Sequence, residues 1–247
     1  MTPEETVTAG TLPIQKIGGA FMQQRKNAAI AEELGLNGWS LYYCGRGGVL
    51  GDVDADVVTA AFVFMPAAMV RKAWDKGRTV IPPAQMAERY AEICHEWGRT
   101  RFAGFDKAGR LAELAAKVVD AVDPAGLPLF AGWRAMPLPD DAPARANQLV
   151  HLLREHRGGL HAIAVLAAGL TPLEASVSIA EGPGSPGFFG WPEPHPDPAP
   201  LAERRAAAEA RTDELVLPPY AELDGDECAE LAELLQAAAA AAFAPRS

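Results

Sequence analysis

A run of ionisable side chains interrupts the most apolar part of the chain. Residues 152–169 read LLREHRGGLHAIAVLAAG, and the ionisable members are Arg154, Glu155, His156, Arg157 and His161. A guanidinium group binds anions, and a carboxylate or an imidazole can accept and return a proton. This composition predicts acid–base chemistry on a bound anion. Glu155, His156 and His161 are the candidate catalytic residues, and Arg154 and Arg157 are candidate anion ligands.

Helical periodicity distributes these side chains over different faces. At about 100° per residue, His156 shares a face with neighbouring leucines and is predicted to point toward the core. Glu155 lies one turn after His151, so the two side chains can pair. A histidine among leucines is often a buried, hydrogen-bonded structural residue. Both a structural and a catalytic role for His156 are therefore open.

The glycine pair 158–159 predicts an end to this helix. Glycine allows the left-handed conformation that terminates helices, and a new helix would then begin near Leu160. The free N–H groups of that new helix, beside Arg154 and Arg157, would favour a bound anion. The alternative is a plain corner between two helices.

A second candidate site lies in residues 40–58, SLYYCGRGGVLGDVDADVV. Here Tyr42, Tyr43 and Arg46 precede a glycine-rich turn, which suits a small polar or anionic group. The stretch is neither a P-loop nor a Rossmann fingerprint, because it lacks the Lys-Ser/Thr pair and a preceding strand. The alternative is a turn between packed helices with an exposed Arg46.

The elements that position these residues are predicted to be helices, giving an all-α fold. The predicted helices cover residues 13–35, 38–45, 54–64, 66–76, 82–99, 107–122, 124–134, 142–157, 159–168, 171–180, 200–216 and 225–243. Proline and capping residues stand where many of them begin. We expect a helical body over residues 1–180, a Pro/Gly-rich loop over 181–200 and a short C-terminal helical arm over 201–247.

Composition narrows the function classes. The 247 residues carry a net charge of −10, which disfavours nucleic acid as a partner. Three cysteines without a CxxC pair, no signal peptide and no long apolar run predict a cytoplasmic protein that has no membrane span. No cofactor is predicted. A metal site is not expected either, because His151, His156 and His161 cannot share one helix face.

Several segments carry a resemblance to a known family. They are GWSLYYCGRGGVLG (38–51), VVTAAFVFMP (57–66), PAGLPLFAGWRAMPLP (124–139), LLREHRGGLHAIAVLAAGLTPLEA (152–175) and RTDELVLPPYAEL (211–223). In this order they resemble uncharacterised actinobacterial helix-turn-helix proteins with a winged-helix-like part. Family members typically carry Arg-Gly-Asp-Gly-His where residues 157–161 here read RGGLH, so Gly159 stands in place of an acid. After the Gly-Trp pair 190–191 the wing-like hairpin is shortened, which implies a degenerate winged helix.

The resemblance also implies a function. Some relatives look like lyase or cyclase enzymes of natural-product, including antibiotic, biosynthesis that close a nitrogen ring by expelling sulfate with a homologous partner subunit. We therefore expect a protein that binds a small anionic metabolite, with Arg46, Arg154, Arg157, Tyr42 and Tyr43 as ligands. It would be either such an enzyme or the helper subunit in a heterodimer or homodimer. The alternative is a degenerate winged-helix transcriptional regulator.

Overall fold

The computed structural model describes residues 1–182 and 184–244, and within these ranges it contains helices and no strand, which confirms the all-α class. The α-helices are α1 (Pro3–Ala20), α2 (Lys26–Glu33), α3 (Gly38–Gly47), α4 (Ala55–Phe62), α5 (Ala67–Arg78), α6 (Pro83–Arg101), α7 (Ala108–Ala121), α8 (Pro128–Arg134), α9 (Ala142–Ala167), α10 (Pro172–Ser176), α11 (Pro186–Phe189), α12 (Ala202–Val216) and α13 (Gly225–Phe243). Short 3-10 helices cover Phe21–Gln23, Gly48–Leu50, Ala199–Leu201 and Pro218–Glu222.

Local capping explains where many helices begin. The Asp141 carboxylate accepts a hydrogen bond from the Ala144 N–H at the start of α9. A capping box between Asp224 and Glu227 starts α13. Such caps satisfy N–H groups that have no partner inside the helix, which stabilises it by about 1 kcal/mol. The starts of these capped helices are therefore encoded locally.

The N-terminal helix departs from the prediction that one helix covers residues 13–35. A capping box between Thr2 and Glu5 starts α1 already at Pro3, so Pro13 lies inside this helix instead of opening it. The chain then passes through the 3-10 helix Phe21–Gln23 before α2 begins. The prediction of a single helix is wrong at its start, because the earlier cap was missed, and in its interior, where α1 and α2 are separate helices. Its predicted end at residue 35 lies within two residues of the end of α2.

Helix α9 is a single helix of 26 residues that packs against α1, α6, α7, α8 and α12. The predicted break at the glycine pair 158–159 is wrong. A glycine inside a helix costs only about 1 kcal/mol relative to alanine, and packing along the helix can offset that. At Gly159 a Cβ atom would lie 2.6 Å from Leu127 Cδ2, so the missing side chain lets Leu127 approach closely.

The segment after residue 180 packs on the helical body. Ser185 caps the short helix α11, and the Trp191 indole donates a hydrogen bond to the Phe64 carbonyl at 3.1 Å. Helix α12 packs on α9, and α13 packs on α1 and shares their apolar core. Residue 183 of the expected loop and residues 245–247 of the expected arm lie outside the described residues. None of the helices in the described ranges is long and apolar enough to cross a membrane.

Candidate functional site

The centre of the predicted site is a buried ion pair between helices α3 and α9. Arg46 donates from Nε to Glu155 Oε1 at 3.0 Å and from Nη2 to Glu155 Oε2 at 2.7 Å. Arg154 Nη1 donates to Glu155 Oε1 at 3.0 Å. The Glu155 side chain is 1% exposed and that of Arg46 is 12% exposed. The two residues, 109 positions apart in sequence, thus form a two-point contact of the kind that a guanidinium fork favours.

The electrostatics of Glu155 follow from its neighbours. Burial alone would raise the pKa of this carboxyl, but the positive charges of Arg46 and Arg154 outweigh that effect and lower the pKa to about 2. Glu155 is therefore ionised throughout the physiological range. The predicted neighbour His151 lies close, with 3.7 Å between its Nε2 and Glu155 Oε1, but this separation is too long for a hydrogen bond.

Two buried histidines flank this ion pair. His151 Nδ1 lies 3.0 Å from the Gly18 carbonyl, and the ring packs edge-on against Trp133. His156 is 3% exposed and points into the core as predicted, beside the Phe130 ring. Burial lowers the pKa of each imidazole to about 4. Both rings are therefore neutral at pH 7.

Acid is expected to destabilise the protein through these histidines. Between pH 6.5 and 4 the unfolded chain binds protons that the buried, neutral rings do not bind. The free energy of unfolding is therefore fully retained above pH 6.5, and it falls by about 1 kcal/mol per histidine by pH 5.5. Melting temperatures of the wild type and His156→Leu should be measured from pH 7.5 to 5. The variant should show the shallower dependence, and equal slopes would contradict the assignment.

The other predicted residues make separate contacts. Arg157 Nη2 lies 3.2 Å from Glu209 Oε2 and 3.3 Å from Asp213 Oδ1 on α12. His161 Nδ1 lies 3.0 Å from the Thr212 hydroxyl of the same helix. These contacts attach α12 to the C-terminal half of α9. Burial lowers the pKa of His161, an effect that the nearby Glu209 carboxylate opposes.

The two tyrosines differ in their surroundings. The Tyr42 hydroxyl accepts a hydrogen bond from Arg46 Nη1 at 3.0 Å. Tyr43 is fully buried, its hydroxyl has no partner within the described ranges, and burial raises its pKa. Tyr42 therefore extends the ion-pair network, whereas Tyr43 belongs to the core.

Most of the predicted site residues line one large cavity. It has a volume of about 1250 Å³, and the predicted residues that line it are Tyr42, Arg46, Arg154, Glu155, Arg157 and His161. Tyr43 and His156 lie in the core instead. Six residues chosen from the sequence therefore lie around the same cavity. Their catalytic and anion-binding roles stay predictions.

A second feature is the pair of helices α4 and α5, which the sequence predicted as helices but not as a candidate functional site. The four residues 63–66 connect them, and the two helices pack on each other. Val70 and Trp74 anchor α5 in the core, and the Trp74 indole donates a hydrogen bond to the Val53 carbonyl at 3.0 Å. Two packed helices joined by a short turn have the layout of a helix-turn-helix unit.

The outer face of α5 is rich in cations. Its exposed side chains include Arg71, Lys72, Asp75, Lys76 and Arg78. Arg71 pairs with Asp54 and Asp56, and Arg78 Nε lies 3.5 Å from Asp52 Oδ1. Lys72 and Lys76 have no ion-pair partner among residues 1–182 and 184–244. The sequence could have indicated this cationic face, because RKAWDKGR (71–78) places four cations within eight residues.

Other helix pairs with short connections present different surfaces. Helix α3, which follows α2 after four residues, is largely buried. Helix α6 follows α5 after four residues, but its exposed face mixes Arg89 and Arg99 with Glu88, Glu92 and Glu96. Among these second helices, α5 offers the most cationic surface.

One comparison with known proteins identifies a family for the chain. A family model described as "Helix-turn-helix family" matches residues 13–199, well over half of the chain. The matched range includes α4 and α5. Neither a curated protein nor a solved structure matches the chain significantly.

The family match corrects two expectations from the sequence. An enzyme or helper subunit that binds a metabolite is wrong as the main function, because the match favours the alternative of a regulator. The expected partners are corrected with it: the match suggests DNA, which the net charge had disfavoured, and nothing supports a small anionic metabolite. Net charge is a sum over the surface and does not describe one helix face. The chain belongs to the helix-turn-helix family.

Proposed function

We propose that the protein is a DNA-binding regulator that contacts DNA through α5. The observation that carries the proposal is the exposed cationic face of α5, the second helix of a helix-turn-helix unit. In such units the second helix lies in the major groove, and its first residues contact base edges. Lysine and arginine side chains supply the attraction to phosphates.

The order of residues along α5 fits this docking. Ala67 and Ala68 are small and exposed at the start of the helix, so the backbone can approach the groove closely. Arg71 and Lys72 follow one turn later, where they can reach guanine acceptors. Asp75 can accept a hydrogen bond from a cytosine amino group. These assignments make α5 a reader of bases as well as of phosphates.

The acidic neighbours of the two arginines do not prevent this contact. Asp52, Asp54 and Asp56 are each about 70% exposed. Exposed ion pairs contribute at most about 1 kcal/mol, so a phosphate or a base can displace them. Discrimination between sequences would then come from base contacts, since the overall charge of −10 weakens nonspecific binding.

The proposal includes three further expectations from the sequence: a cytoplasmic location, a shortened wing and an actinobacterial origin. A cytoplasmic location is supported by three buried cysteines that form no disulfide. A shortened wing is supported by the lack of strands in the part of the chain that the structure describes. An actinobacterial origin is supported by the resemblance alone. DNA contact would then rest on α5 without a hairpin.

The test is selection of genomic DNA fragments with the purified protein, followed by fluorescence anisotropy of a selected fragment in low salt. Lys72→Glu combined with Lys76→Glu should weaken binding at least tenfold, because two positive charges that attract the DNA become negative charges that repel it. The wild type should lose affinity steeply as salt rises. Fragments that are not enriched over an unrelated acidic protein would overturn the proposal.

The matched control is Arg89→Glu combined with Lys107→Glu. These residues are exposed on α6 and just before α7, and the double variant has the same net charge as the α5 variant. It should bind DNA as the wild type does, apart from a small uniform loss. Equal losses in both double variants would show that α5 is not the reading helix.

A further inference from the structure

The turn of the helix-turn-helix unit is also a wall of the large cavity. Phe62, Val63, Phe64 and Met65 end α4 and form most of the connection to α5, and all four line the cavity. Residues of α9, including Arg154 and Glu155, line it as well. A ligand bound at this part of the cavity therefore touches the segment that holds α5 in place.

The backbone of this wall is strained at one residue. Val63 has φ 56° and ψ −64°, a conformation that a β-branched residue rarely adopts. Such a conformation costs of the order of 1–3 kcal/mol and persists only where the surroundings impose it. The Val63 N–H still donates to the Thr59 carbonyl at 3.0 Å. The turn is thus an element whose geometry depends on its packing.

A second segment connects the wall to α5. Phe188 on α11 packs edge-on against Trp39, with 5.6 Å between ring centroids. Two residues later, a Cβ atom on Gly190 would lie 2.2 Å from Met69 Cε on α5. With the Trp191 hydrogen bond to the turn, the short segment 188–191 touches the cavity, the turn and α5 together.

The lining chemistry indicates the class of ligand. Seven of the lining residues carry large aromatic rings, namely Trp39, Tyr42, Phe62, Phe64, Phe130, Phe188 and Phe189. Arg46 and Arg154 both contact the Glu155 carboxylate, and Arg157 contacts Glu209 and Asp213. The other lining cations, Lys16 and Arg25, are exposed to solvent. Such a wall suits an uncharged ligand with aromatic rings.

Two buried polar atoms at the cavity residues are still unsatisfied. Arg157 Nε and Asn27 Oδ1 have no hydrogen-bond partner within the described residues. Both atoms are buried, so a ligand in the cavity would reach this donor and this acceptor only after a movement of their side chains. The volume of about 1250 Å³ exceeds the usual range of about 300–1,000 Å³ for small-molecule sites. Several fused or linked rings would fit.

We infer that this cavity is an effector site for an uncharged molecule with several aromatic rings, and that its occupancy regulates DNA binding by α5. The inference rests on the proposed function. A ligand that packs against residues 62–65 and Phe188 favours one arrangement of the turn over others, and DNA favours one arrangement of α5. Two binding events that bias the same element are coupled, and the coupling is reciprocal.

The first experiment titrates the full chain with Nile red, an uncharged fluorescent molecule with fused aromatic rings. Phe188→Ala removes a ring from the wall, and Gly158→Phe adds one, since a Cβ at Gly158 meets no atom within 4 Å. Each variant should weaken dye binding at least fivefold. Phe243→Ala, which removes an exposed ring from α13 outside the cavity, should leave it unchanged. Equal affinities in all four proteins would overturn the site.

The second experiment measures the affinity for a selected DNA fragment with and without saturating Nile red. The dye should change the DNA dissociation constant at least threefold, and Gly158→Phe should abolish that change. A dye that binds in the cavity without altering DNA affinity would overturn the regulatory role. Absence of DNA binding by the wild type would instead refute the proposed function and the regulation with it, while the dye titration would still decide whether the cavity is a ligand site.

Discussion

Glu155→Ala is expected to lower the free energy of unfolding by about 3–5 kcal/mol. The substitution leaves the Arg46 guanidinium, whose side chain is 12% exposed, without a carboxylate partner. It also removes the acceptor for Arg154. Urea denaturation at pH 7, followed by circular dichroism, measures the loss.

Two further variants distinguish the effect of an unpaired buried charge from the effect of lost packing on stability. Arg46→Met combined with Glu155→Met replaces both buried charges by apolar side chains and should recover much of the stability, because the only cation left without its partner is Arg154, which is 30% exposed and can reach water. Glu209→Ala removes a carboxylate that is 41% exposed and should cost less than about 1 kcal/mol. A Glu155→Ala loss below 1 kcal/mol would show that water compensates Arg46.

Gly98→Ala is expected to destabilise the protein by about 2–3 kcal/mol. Gly98 lies on α6 where this helix crosses α9, and a Cβ atom there would lie 2.6 Å from the Pro143 carbonyl oxygen and 2.8 Å from Asn147 Cβ. A backbone carbonyl cannot move aside as a flexible side chain can. The two helices would have to separate, and the buried contacts around them would loosen.

The matched control for Gly98 is Gly158→Ala, also inside a long helix. A Cβ atom at Gly158 meets nothing within 4 Å, so the substitution should stabilise the protein by about 0.5–1 kcal/mol through helix propensity and a less flexible unfolded chain. The two glycine substitutions thus have opposite expected signs. If both stabilise the protein, the close crossing of α6 and α9 is not rigid.

Much of the fold is predictable from local sequence signals. The helices starting after Asp141 and Asp224 follow from capping residues and apolar periodicity, and the burial of His156 follows from its position among leucines. The glycine pair 158–159 misled the prediction. The tendency of glycine to end a helix predicted a break there, but the packing of α9 against its neighbours outweighs that tendency.

The candidate site was only partly predictable. Arg46 and Glu155 were each identified as functional candidates, but their contact joins residues 109 positions apart. No local pattern encodes such a pairing. The cations on the exposed face of α5 are visible in the sequence RKAWDKGR (71–78). They do not show in the net charge of −10, because acidic residues elsewhere outnumber them. Sums over composition discard the spatial separation on which recognition depends.

Helix α9 has a consequence for how the protein unfolds. It contacts α1, α6, α7, α8 and α12 and carries buried side chains on several faces. If α9 leaves its place, apolar surface on all five neighbours becomes exposed to water at once. Partial opening around α9 is therefore costly, and we expect the amide protons in its buried part to exchange with water only through global unfolding. The 26-residue helix makes its neighbours one cooperative unit.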